Sequence, residues 1–317
     1  MKKTSLFLLP IASICACSTG KQPLVSKEYY FSSLVEVKLY DGTKEDIDAI
    51  SSILNRYDKL SDNYKQKGTD TSVYTLNQSN DEQTISSDLH DLLEKALELK
   101  TSTNGYFEPL IGSLSKHWKE SLKNKQALDQ MIIEEDLNDI LNSNLILNED
   151  TAKRVGDAEI DLGAIAKGYT LDKIKEYLDS QKEKQYLISA GSSSILIGEK
   201  NTKSGLFNIG LKYYNNAYLS LKNCFVGASG VQEQGVTIDG TTYSHIVNPF
   251  TGSAVNLYDF VFVVGSNGAL VDALSTCFMM LSVNDIKQYE TTYDVQTLIY
   301  KNNKIFYKNK NLEVKYH

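Results

Sequence analysis

The chain has 317 residues, enough for one large domain or two smaller ones with a real core. Hydrophobic residues make up 41% and charged residues 23%, the balance of an ordinary soluble globular protein. The formal net charge is -7 and no long Lys/Arg block occurs, which argues against a nucleic-acid surface while leaving room for a phosphate held by local charge.

The first segment reads as a targeting signal. Lys2 and Lys3 precede the apolar stretch from Leu6 to Ala12, which is too short to span a bilayer and has the layout of a secretory signal. It ends in Ile14-Cys15-Ala16-Cys17, which resembles a bacterial lipobox. On that reading residues 1–16 are a signal peptide, Cys17 is the lipidated first residue of the mature chain, and residues 17–28 are a flexible tether. The remainder, residues 29–317, is then one folded domain held outside the cytoplasm on a bacterial membrane, at its periplasmic or cell-surface face. A plain signal peptide cut nearby fits the same residues. Cys224 and Cys277 lie among apolar neighbours and read as buried free thiols, with a disulfide between them left open.

Along the folded part, a strand is expected from about Tyr29 to Tyr40, turning at Asp41-Gly42. Ile47, Ile50, Ile53 and Tyr57 form the apolar stripe of a helix over Lys44 to Leu60. Ser61 to Ser87 is polar and turn-rich and reads as loop. Ser87 or Asp88 then caps a helix to about Lys100, ended by Thr103-Asn104-Gly105. Leu114 to Asp129 is helical in composition, and Met131 to Leu147 reads as a short helix and a strand. Ala158 to Leu162 reads as a short strand and Ala164 to about Asp179 as a helix. Strands over Tyr186 to Ala190 and Ile195 to Gly198 flank a tight turn of small residues. Short strands alternate with turns from Phe207 to Val264, helices follow over Leu270 to Leu281 and Val283 to Thr291, and strands near Thr297 and Lys304 close the chain. This order is not a regular βαβ series. It predicts an α+β fold, a central mostly antiparallel sheet with helices packed on it.

Two segments carry chemistry. Asp161 ends the strand expected before Gly163-Ala164, and Lys167 lies in the first helical turn that follows. Backbone N–H groups and the positive end of the dipole make such a turn a natural anion site, and a lysine there gains from an anionic ligand. The same residues also fit a solvated lysine on a helix that needed a small residue at its start. Asp272 and Thr276, four apart, share one helix face, and a carboxylate with a hydroxyl is hard-oxygen chemistry suited to Mg2+ or Ca2+. A helix-capping Asp and a Thr bonded back into its own helix would give the same pair. His245, before Ile246-Val247-Asn248-Pro249-Phe250-Thr251-Gly252, fits a hydrogen bond to a ligand edge as well as a strand start.

In order, Gly105-Tyr106-Phe107-Glu108-Pro109, Asp161 to Tyr169, Ala190-Gly191-Ser192, His245 to Gly252 and Val271 to Thr276 resemble the ordered motifs of the ApbE family of FAD:protein FMN transferases. Phe31-Ser32-Ser33 and the Tyr64 to Asn77 loop resemble two earlier pieces of that family, so the likeness spans nearly the whole mature chain. The resemblance implies an ApbE-like flavin transferase that uses Mg2+ and FAD, transfers FMN to a Thr or Ser hydroxyl of an exported partner protein, and releases AMP. It implies a metal site at the Ala164 carbonyl, Asp272 and Thr276, and catalytic roles for Asp161 and Asp272. It implies FAD contacts from Phe31, Tyr64, Phe107, Glu108, Pro109, Asp161, Lys167, His245 and Ile246. Hydrolysis of FAD to FMN and AMP, or flavin carriage without turnover, is the alternative. Glu108 and Asn248 stand where the family has Asp, Phe31 where it has Met, and Ser275 where some members have a second Asp.

Overall fold

A computed structural model describes residues 22–316 apart from 212–216, 232–234 and 239–240. Residues 1–21, and with them the signal segment and Cys17, lie outside the described residues. No helix among the described residues is long and apolar enough to cross a membrane.

The chain opens with a hairpin, β1 (Leu24–Tyr30) and β2 (Ser33–Leu39), where one strand was expected. The two-residue turn is Phe31-Ser32, with φ of 52° and 55°. Such a turn needs positive φ at both central residues and ordinarily takes Asn-Gly, so this sequence gives no turn signal. The strand also starts inside the stretch expected to be tether. Helix α1 (Lys44–Ser61) follows, capped by a reciprocal Thr43–Asp46 box. The expected loop contains a short helix α2 (Val73–Asn77) and β3 (Gln83–Thr84). Ser86, one residue before the expected cap, caps α3 (Ser87–Ser102). Then come α4 (Gly112–Asn124), α5 (Gln130–Asn142), and the strands β4 (Asn144–Leu147) and β5 (Thr151–Val155).

Residues 158–162 are extended but pair with no strand, which corrects the expected strand there. Their backbone groups are taken one by one. Asn77 donates to the Ile160 carbonyl and accepts its N–H, Gly112 N–H donates to the Glu159 carbonyl, and Asp161 N–H donates to the Pro109 carbonyl. A segment so satisfied has no ladder left to offer.

Helix α6 (Ala166–Ser180) leads to β6 (Tyr186–Ala190), β7 (Ser194–Ile197), β8 (Phe207–Gly210), β9 (Ala217–Leu221) and β10 (Cys224–Gly230). The hairpin β11 (Val236–Ile238) and β12 (Thr241–Tyr243) precedes β13 (Phe260–Gly265). Helices α7 (Gly268–Phe278) and α8 (Val283–Tyr293), then β14 (Gln296–Lys301), β15 (Lys304–Lys308) and β16 (Val314–Tyr316), complete the chain.

Eight strands form one antiparallel sheet in the order β1-β2-β6-β7-β10-β13-β14-β15. Strand β13 shows how it is packed. Val261 and Val263 face the main core, shared with α1, α3, α6 and α7. Phe260, Phe262 and Val264 face a second core, beneath the small β16-β9-β8 sheet. Period two therefore puts alternate apolar residues into two separate cores, and a strand buried on both faces reads as a continuous apolar run. The fold is α+β, as expected. Cys224 and Cys277 are both free thiols.

Candidate active site

The site is built where α6 and α7 cross over the sheet. The two helices meet through glycine. A Cβ on Gly168 would lie 2.1 Å from the Gly268 carbonyl oxygen, and a Cβ on Gly268 would lie 2.3 Å from that of Gly168. On the other side of α7, a Cβ on Gly227 of β10 would lie 2.3 Å from the Val271 carbonyl oxygen. Three glycines thus let α7 settle between α6 and the sheet with backbone against backbone.

At this crossing each helix lends the other a carboxylate. Helix α7 begins with Gly268 and Ala269, whose N–H groups donate to the two oxygens of Asp172 at 2.6 and 2.8 Å. Helix α6 has Ile165 at its N-cap and no side-chain cap of its own. Gly168 N–H, one of the donors a helix start leaves unmatched, donates instead to Asp272 Oδ2 at 2.7 Å. Ser194 Oγ donates to the same oxygen at 2.9 Å. The first backbone bond of α6 runs from Tyr169 N–H to the Ile165 carbonyl, and the Ala164 carbonyl accepts no hydrogen bond among the described residues. Had the helix run one residue further back, Gly168 N–H would have closed onto it.

Asp272 is 6% exposed. Burial pushes its carboxyl up to about 7, against the pull of the Lys167 ammonium and the Ser194 and Gly168 hydrogen bonds. Both of those hydrogen bonds fall on Oδ2, so Oδ1 remains for another partner. Asp272 lies in the second turn of α7, not at the helix start that the sequence suggested, and α7 is capped by Asn267 and Asp172. Thr276 sits one turn on, its hydroxyl 3.4 Å from the Asp272 carbonyl and 3.3 Å from Ser229 Oγ of β10. Ser275 Oγ pairs with Ser229 Oγ at 2.9 Å. Sequence reasoning missed Ser194 of β7 and Ser229 of β10 as individual residues.

Asp161 stands at the mouth. Its Oδ1 accepts the Gly163 N–H at 2.7 Å, closing the turn that carries Ala164. Burial pushes its carboxyl up, opposed by the Gly163 N–H, the Asn63 amide, Lys116 and Lys119. Tyr64 is half-exposed beside it, with Lys119 Nζ 4.2 Å and Lys116 Nζ 5.4 Å from its ring centroid. The Tyr64 phenol is pushed up to about 12 by burial and the nearby Asp161, Asp62 and Glu159 charges. The two lysines, three apart on α4, carried no readable motif and appear only once α4 is placed.

The remaining expected residues flank these groups. Phe31 is half-buried, and its turn neighbours Gly191, whose positive φ of 65° and N–H bond to the Leu34 carbonyl bring the small-residue turn alongside. Phe107, Glu108 and Pro109 are buried behind Asp161, reaching it through the Pro109 carbonyl. Glu108 is held by Lys100 at 2.7 Å and by the Leu110 N–H at 3.0 Å. His245 is exposed, whereas Ile246 is buried in the main core. Asn248 Oδ1 accepts the Phe250 and Thr251 N–H groups, a turn that Asn and Asp close equally well, which accounts for the change from the family pattern. Phe250 meets Tyr106 edge-on at 5.0 Å, so the His245 to Gly252 segment joins the Gly105 to Pro109 segment.

The profile of the ApbE family matches residues 31–299, most of the chain and all of this site. The chain belongs to the ApbE family. The FAD:protein FMN transferase of Treponema pallidum is 27% identical over 61% of this chain, an alignment that spans 59% of that relative's length. Its namesake from Klebsiella pneumoniae is 26% identical over 79% of this chain and 80% of its own. Among solved structures, the ApbE protein of Thermotoga maritima superposes with a TM-score of 0.78 at 21% identity, covering 92% of this chain and 98% of that one. The flavin transferase ApbE of Vibrio cholerae gives 0.72 at 19% identity, covering 88% and 93%. The fold is that of these ApbE structures, and the expected enzyme class, a flavinyltransferase, is the one that the curated relatives carry in their names.

Proposed function

We propose that this chain transfers FMN from FAD to a Thr or Ser hydroxyl of an exported protein, with Mg2+ as the cation and AMP as the product released. The observation that carries the reading is that the Ala164 carbonyl accepts no hydrogen bond among the described residues, while the Asp272 carboxylate takes the Gly168 N–H that a longer helix would have closed onto that carbonyl. With the Thr276 hydroxyl these make a hard-oxygen set that suits Mg2+. The Ala164 carbonyl, Asp272 Oδ1 and Thr276 Oγ1 would hold the ion. There it would supply positive charge to neutralise the pyrophosphate and the charge growing on the departing AMP.

The chain's own groups do the rest. Lys167, at the start of α6, adds an ammonium where backbone N–H groups already favour a phosphate. Phe31 and Tyr64 offer aromatic faces to the rings of FAD, and His245 an edge. The buried Phe107, Glu108, Pro109 and Ile246 form the wall behind them. Asp161 accepts the proton of the incoming hydroxyl, its carboxyl made more basic by burial. The hydroxyl oxygen forms a bond to the FMN phosphorus, and the bond from that phosphorus to the bridging oxygen breaks, the oxygen leaving with AMP. Lipidation at Cys17 would anchor the enzyme on the exported side of a bacterial membrane.

Incubation with FAD, Mg2+ and a candidate acceptor tests the proposal. A fluorescent acceptor band in a denaturing gel, with AMP released, is expected. FMN and AMP without labelling would make the protein an FAD pyrophosphatase, and tight FAD with neither product would make it a carrier. Asp272→Ala is expected to abolish Mg2+-dependent turnover, and unchanged activity would remove the metal assignment.

A further inference from the structure

Phe31 and Tyr64 sit on separate turns, and a single lysine joins them. Phe31 holds a left-handed backbone, φ 52°, which a bulky residue adopts only under constraint. Its N–H donates to Asp58 Oδ1 at 2.6 Å. Asp58, buried near the end of α1, receives Lys67 Nζ at 2.8 Å on both oxygens. The same ammonium lies 2.9 Å from Asp62 Oδ2. Asp62 Oδ1 in turn accepts the N–H of Tyr64 at 2.8 Å and of Lys65 at 3.0 Å. Between Asp62 and Tyr64 lies Asn63, 5% exposed, its amide facing the Asp161 carboxylate.

We propose that Lys67 is a positioning residue for flavin binding: through Asp58 and Asp62 it braces the Phe31 and Tyr64 turns together. The inference rests on the flavin reading given above. Three close contacts on one ammonium that is 20% exposed are little screened by solvent. Partial burial opposes the charge, yet the two carboxylates lift Lys67 above the ordinary lysine range.

The test is Lys67→Met, which keeps the stem and removes the charge, with Lys67→Arg as rescue and Asp62→Asn as a one-sided break. Amide exchange should quicken at residues 30–33 and 62–65 together in Lys67→Met, and at 62–65 alone in Asp62→Asn. The KM for FAD should rise about tenfold with kcat changed less than about twofold, and Arg should restore most of it. Unchanged exchange in either turn of Lys67→Met, an unchanged KM, or a uniform rise in exchange across the whole chain would overturn the brace. Failure of the unaltered protein to bind FAD would sink the flavin reading instead, and the exchange pattern alone would then decide the brace.

Discussion

A carboxyl pushed up to about 7 must shed its proton before it can hold a cation. For Asp272 the sign follows directly. Below about 7 the ion competes with a proton, and above it the carboxylate stands ready. Mg2+ affinity is therefore expected to rise with pH and level off above neutrality, about tenfold weaker at pH 6 than at pH 8. Calorimetric titration checks this, and affinity independent of pH would contradict the assignment of Asp272. At Lys167, removing the ammonium by substitution with Ala should weaken FAD roughly 10- to 100-fold, the worth of a hydrogen bond to a charged group. Flavin fluorescence titration measures it, and equal affinity would return Lys167 to the role of a solvated surface lysine. At this scale the sequence was legible where roles are local. The four-residue spacing of Asp272 and Thr276 survives in α7. Lys116 and Lys119 were not legible, because their proximity to Tyr64 exists only after α4 is placed.

The elements that matter most are two helices that complete each other's ends. Asp172 of α6 takes the first N–H groups of α7, and Asp272 of α7 takes a donor at the start of α6. This exchange requires the backbones to touch, which Gly168 and Gly268 allow. In Gly168→Ala the new Cβ would meet the Gly268 carbonyl oxygen at 2.1 Å and the Asp272 carboxyl carbon at 2.8 Å. The variant should lose about 1–3 kcal/mol of stability, read as a shift in the urea midpoint. It should lose Mg2+ affinity as well, since the same atoms set the position of the Asp272 carboxylate. Stability lost with affinity kept would separate the crossing from the site. Both helices were expected from the sequence, but it did not reveal which helix end each aspartate serves. Asp272 reads as a helix-start residue in sequence because nothing in the sequence shows that Asn267 and the distant Asp172 cap α7 instead. The expected strand at 158–162 failed for a related reason: Asn77, more than eighty residues away, takes both backbone groups of Ile160.

Over the whole molecule, one antiparallel sheet with cores on both faces holds these pieces in register. Its strands β7 and β10 bring Ser194 and Ser229 to one side of α7, and β2 and β6 bring the Phe31 turn alongside Gly191. The α+β class was legible from strand and helix signals, because long periodic segments identify themselves. The opening hairpin was not, because Phe31-Ser32 turns the chain without a turn residue and depends on Asp58 to do so. Everything proposed for the site depends on a cation held by the Ala164 carbonyl, Asp272 and Thr276. Anomalous diffraction from a crystal grown with Mn2+ and FAD measures that directly. The account predicts a peak within bonding distance of the Ala164 carbonyl, Asp272 Oδ1 and Thr276 Oγ1, with the pyrophosphate against it and Lys167. A peak elsewhere, as at the surface cluster of His90, Asp91 and Glu94, with the Ala164 carbonyl still bare, would contradict it.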